Sequence, residues 1–109
     1  MIVNVCPAAT SKAPPDRFWE ILIDPKAYEL WADARLLSSE PPGPVRAGTV
    51  LRMMAPGFGR EWPVRLEVPG LDSNRRWIDI VVHLPLGIVN QEHLTLAERP
   101  DGGTLIRFN

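Results

Sequence analysis

Between residues 14 and 31 apolar side chains recur at helical spacing, a period that the later part of the chain does not keep. Pro14 and Pro15 suit a first helical turn, where the N–H that proline lacks would have had no intrahelical partner. Phe18, Ile21 and Leu22 then fall at i, i+3 and i+4, one apolar stripe to be buried against a larger element. Asp24-Pro25 repeats the start signal, a capping carboxylate followed by proline, and predicts a second short helix carrying Tyr28 and Trp31 on one face.

The rest reads as strand and turn. Residues 2–6, closed by Pro7, are predicted as a first strand, with residues 8–12 as its exit loop. Residues 35–39 form a brief strand before Pro41-Pro42-Gly43-Pro44, which cannot continue a ladder, and residues 49–54 form another before a turn over residues 55–59. The cleanest pattern follows: from Glu61 to Pro69, Trp62, Val64, Leu66 and Val68 alternate with polar or proline positions, as in a strand with one buried face. Pro63 and Pro69 favour an edge, an end or a bulge there. After a turn at residues 70–74, residues 75–83 place Ile78, Ile80 and Val82 on one face and Trp77, Asp79 and His83 on the other. Residues 88–98 carry Leu94 and Leu96 at strand spacing, and Arg99-Pro100-Asp101-Gly102-Gly103 leads into a last strand from Thr104. A strand, two short helices and a run of antiparallel strands make an α+β domain with its helices at one end of a sheet.

Composition narrows the function more than the fold. A chain of 109 residues is read as a single domain, long enough to bury roughly 60–70% of the surface its unfolded form exposes. Its 12 Lys+Arg against 13 Asp+Glu leave no basic surplus for a phosphate backbone or an anionic membrane, so nucleic acid is not expected as a partner. No segment approaches the roughly 20 apolar residues of a membrane span, and no basic, apolar leader precedes residue 7. The lone Cys6 cannot close an internal disulfide and reads as a structural thiol, in keeping with a reducing cytoplasm.

Candidate chemistry is sparse. His83 and His93 have no metal-ligand spacing with any other Cys or His, so neither a metal nor a cofactor is expected. Asp79 and His83 share a strand face opposite the apolar one and read as a solvated pair. Gly57-Phe58-Gly59 has no following helix start or phosphate-binding lysine and reads as a connecting turn, and Arg75-Arg76 as a turn flank. Trp62 suits ligand contact and plain packing equally.

The Pro-rich lead into Phe18-Trp19-Glu20-Ile21-Leu22, then Asp24, Tyr28 and Trp31, then Gly43 and Gly48-Thr49, resembles the START-like helix-grip (SRPBCC) superfamily. Glu92-His93-Leu94-Thr95-Leu96 with Gly102-Gly103-Thr104 resembles its closing hairpin, and the nearest branch is that of the polyketide cyclase/dehydrase and lipid-transport-like proteins. The resemblance covers nearly the whole chain but contains no catalytic motif. It implies a curved antiparallel sheet gripping a long C-terminal helix, with an apolar cavity between them. Here the sequence stops inside its last predicted strand, so that helix is missing. The concave face, Met53, Trp62, Val64, Leu66, Ile78, Ile80, Val82, Leu94, Leu96 and Ile106, would then be open to water beyond the few hundred Å² that a monomer usually exposes. Self-association or another cover is expected.

Three functions follow. The first is binding of a small hydrophobic or lipid-like molecule on that face. The second, as in cyclase or dehydratase relatives, is an enzyme in which Glu92, sharing strand parity with Leu94 and Leu96, handles protons. The third is a protein-interaction module using the open groove.

Overall fold

Strand pairing organises the molecule, and the helices are fitted to it. The computed structural model describes residues 8–31 and 34–108. In chain order come β1 (Ala8–Ser11), α1 (Pro15–Leu22), a 3-10 turn (Pro25–Ala27) running into α2 (Tyr28–Trp31), β2 (Arg35–Glu40), β3 (Val50–Gly57), β4 (Arg60–Asp72), β5 (Trp77–His83), β6 (Val89–Glu98) and β7 (Thr104–Phe108). The strands form a seven-stranded antiparallel sheet in the order β1-β7-β6-β5-β4-β3-β2. This is a helix-grip-like α+β architecture, and no helix follows β7 among the described residues.

Local chemistry explains most boundaries. Asp24 accepts a hydrogen bond from the Lys26 N–H at 3.1 Å and Pro25 opens the 3-10 turn, as the repeated start signal requires. The β3–β4 hairpin closes with two residues, Phe58 and Gly59, both at positive φ (51° and 74°), the geometry that suits the twist of paired strands. Pro69 falls in a register shift between Glu67 and Gly70. Pro63 pairs only with Met54 of β3, because the β4–β5 ladder begins at Arg65 opposite His83. At the sheet edge β2 has its own shift, between Leu36 and Ser38.

The secondary structure departs from expectation at both N-terminal elements. The strand predicted over residues 2–6, with Cys6, lies outside the described residues, while Ala8–Ser11, expected as a loop, is a strand whose residues pair with Thr104–Arg107 of β7. Its small, exposed side chains carry no alternation, so the partner strand decides its conformation. In α1 the buried residues are Pro15, Trp19 and Leu22, whereas Phe18 is half-buried and Ile21 is 44% exposed. The helix is turned so that Trp19 donates its indole N–H to Ser73 Oγ at 3.2 Å and Asp16 accepts from Arg76 Nε at 3.0 Å, tying α1 to the β4–β5 turn.

The core joins Trp19, Leu22, Tyr28 and Val45 to the inner face of the sheet. Tyr28 is fully buried and donates its hydroxyl to the Leu22 carbonyl at 2.7 Å, which offsets the cost of taking a phenol out of water. Burial pushes that phenol well above the ordinary tyrosine range. This packing corrects the expectation of a widely open face. Val64, Leu66, Ile78, Ile80, Leu94 and Leu96 are all buried, because the helix pair and neighbouring strands close over them, leaving Trp62, Val82 and Ile106 half-buried.

Candidate functional site

Alternation along β3 to β7 sets one apolar row of each strand on the face that meets the helices. Met53 stands opposite Val64, Leu66 opposite Val82, Ile80 opposite Glu92, Ile78 opposite Leu94, and Leu96 opposite Ile106. Directly opposed residues share a face, so these pairs continue one another across the sheet.

That face contains two hollows. One, of about 210 Å³, is lined by Met53, Val64, Leu66, Ile80, Val82 and Glu92, completed by Ala34, Ala55 and Leu84. The other, of about 280 Å³, lies beneath α1 and is lined by Phe18, Ile21, Leu22, Leu94, Leu96, Ile106 and Phe108. They share no lining residue, but Glu92 of the first and Leu94 of the second are successive residues of the inner row of β6. Either volume alone is small against the roughly 300–1,000 Å³ of typical ligand pockets.

Of the residues expected on the concave face, Met53, Val64, Leu66, Ile80 and Val82 come together with Glu92 in the first hollow, and Leu94, Leu96 and Ile106 in the second. Ile78 is wholly buried and lines neither. Trp62 also lines neither: its indole N–H donates to the Gly57 carbonyl at 2.9 Å and the Arg60 guanidinium lies 4.2 Å from its ring centre, so it braces its own hairpin. Ala34, Ala55, Leu84, Phe18, Ile21, Leu22 and Phe108 were not among the expected lining residues. Phe18, Ile21 and Leu22 carried a signal in their helical stripe, and Phe108 in its parity with Ile106 in the last strand.

Glu92 is half-buried and is the only titratable residue lining the first hollow, and it also borders a cavity of about 400 Å³ with Asp79, Gln91 and His93. Its side chain makes no hydrogen bond or ion pair with a described residue. On the opposite face of the sheet the polar groups pair differently from the sequence reading. Asp79 contacts His93 Nδ1 directly across the β5–β6 ladder, and the His93 ring lies 5.5 Å from that of Trp77. His83 approaches Glu67 at 3.3 Å instead, beside Arg65 at 3.0 Å from the same oxygen. No cluster of three or more His, Cys, Asp or Glu placed to hold a metal occurs among the described residues.

A larger, open cavity of about 570 Å³ lies away from this face, between the end of α1, the 3-10 turn and the β2–β3 loop. Exposed Glu20, Asp24 and Lys26 stand among prolines 25, 42 and 44 there. No described helix is long and apolar enough to cross a membrane.

Comparison with known proteins bears on the fold. No protein-family model matches the chain, and no curated protein matches it in sequence. Among solved structures, the crystal structure of Ara h 8.0201 is similar, with a TM-score of 0.74 and 21% identity, over 95% of this chain and 72% of that one. The solution structure of ChR145 from Cytophaga hutchinsonii has a TM-score of 0.67 at 14% identity, over 99% of this chain and 77% of that one. Protein Ms6760 from Mycobacterium smegmatis has a TM-score of 0.67 at 20% identity, over 93% of this chain and 66% of that one. At these identities the likeness is one of fold, the helix-grip sheet with its N-terminal helices.

Proposed function

We propose that this helix-grip chain binds a small hydrophobic or lipid-like molecule on the inner face of its sheet, in the hollow of Met53, Val64, Ile80 and Val82 and along β6 into the hollow beneath α1. The observation that carries the reading is the second hollow, whose lining side chains are all hydrocarbon and whose mouth leaves Ile21 partly in water. Apolar surface held at a concave site gains free energy when a hydrocarbon displaces water from it. A half-exposed rim of Phe18, Ile21, Ile106 and Phe108 also suits cover by a second copy of the chain when no ligand is bound. A cyclase-type reaction would rest on Glu92 alone, since the first hollow offers no second titratable lining residue.

The test is saturable binding of Nile red to the purified chain, with native mass spectrometry for co-purifying ligands. Saturation at one or two molecules per chain, weakened at least about tenfold by Ile106→Asp with the circular dichroism spectrum retained, is the expected result. Absence of saturable binding sinks the reading. Light scattering on the same sample separates cover by a second copy from ligand-bound monomers.

A further inference from the structure

We infer that the ligand is an amphiphile with a cationic nitrogen head, held by the Glu92 carboxylate with its hydrocarbon tail running along β6 beneath α1. This deepens the proposed hydrophobic-ligand function and rests on it.

Glu92 stands directly opposite Ile80, a residue 1% exposed at the heart of the core, and opposed residues of an antiparallel pair project to the same side. Its carboxylate therefore belongs to the inner face. The other eight residues lining its hollow are apolar. The nearby cationic side chains sit on the other face: Arg65 and His83 are paired in the register that alternates with the inward pair Leu66 and Val82. His93 belongs to Asp79. Among the described residues, then, the Glu92 side chain makes no hydrogen bond or ion pair.

A ligand that fills the hollow takes the half-buried carboxylate out of solvent. A pure hydrocarbon would strip the carboxylate and return no hydrogen bond, an uncompensated desolvation that opposes binding. A fatty acid entering head first would add a second negative charge beside the first. An ammonium group replaces the lost water with a charge-assisted hydrogen bond, and a hydroxyl with a weaker neutral donor. Leu94 and Leu96 follow Glu92 on the same row, so a head at Glu92 leads its tail into the all-hydrocarbon hollow. The geometry thus selects both the head group and the direction of the tail.

The experiment compares decylamine, decanol and decanoate below their micelle concentrations, each displacing Nile red from the unmodified chain. Decylamine binding at least about tenfold tighter than decanoate, with decanol between them, is expected. Glu92→Gln should bring the three within about twofold of one another, while Glu98→Gln, an exposed carboxylate on the same strand, should leave the order intact. Carbon NMR of the Glu92 carboxyl in the native chain reads the same contact without a variant, through a shift on adding decylamine that decanol reproduces only weakly. Equal affinity for the three probes, a preference that survives Glu92→Gln, or an unmoved Glu92 carboxyl signal overturns this inference and leaves hydrophobic binding standing. If none of the probes binds, both fall.

Discussion

The inner face of the sheet has two halves built from the same alternating sequence, and they end in opposite states. Toward the helix pair, Leu51, Val68 and Ile78 belong to one core with Tyr28 and Leu22 and have essentially no exposure. A few residues along the same strands, Ala55 and Val82 remain half-buried, with Leu84 just past β5, around a hollow that a carboxylate lines. Hydrophobic pattern alone therefore decides which way a side chain points, and the reach of the covering element decides whether that side becomes core or cavity.

The largest effect is expected at the contact that closes the first half. Tyr28→Ala should cost about 3–5 kcal/mol in urea unfolding, because it empties a fully enclosed site and leaves the Leu22 carbonyl without its donor. Next comes a matched pair on one strand: Ile78→Ala should lose about 2–5 kcal/mol, and Val82→Ala, at the hollow, about 1 kcal/mol or less. Equal losses would erase the distinction between the halves.

The buried phenol also gives the closed half a pH signature. The Tyr28 pKa is raised in the folded state, so the unfolded chain loses the proton first, and stability that is full below about pH 10 falls as pH rises above it. Tyr28→Phe should flatten that alkaline decline in a thermal-melt series while costing about 1 kcal/mol at neutral pH. The smallest effect is expected from Trp62→Phe, which should lower stability by about 0.5–1.5 kcal/mol through the lost bond to Gly57 and leave Nile red binding unchanged. Weakened binding would move Trp62 from its hairpin into the site.

Where local chemistry decides an element, the amino-acid sequence shows it. Asp24-Pro25 announces the 3-10 turn, Pro14-Pro15 the start of α1, and the alternation from Trp62 to Val68 the inward row of β4. Where a distant partner decides, it does not. Ala8–Ser11 is a strand because β7 lies alongside, and α1 buries Trp19 in place of Phe18 because Ser73 and Arg76 wait at the β4–β5 turn. The same limit governs the candidate site. Parity placed Glu92, Leu94 and Leu96 on one face, but the division into two hollows depends on where α1 crosses the sheet, and Ala34 and Leu84 enter from outside any alternating run. Cross-strand partners of polar residues were equally hidden, as the pairing of Asp79 with His93 shows.

The irregular outer strand β2 bears on how the protein behaves in a crowded solution. A free strand edge is a template on which further chains can polymerise. Here the Leu36 N–H is already taken by the Glu29 carboxylate at 3.0 Å, the ladder slips between Leu36 and Ser38, Arg35 and Glu40 charge the two ends, and Pro41 ends the run. Another strand docking there would meet an occupied donor, a broken repeat and fixed charges, so this margin of the sheet is guarded against amyloid-like growth at high concentration.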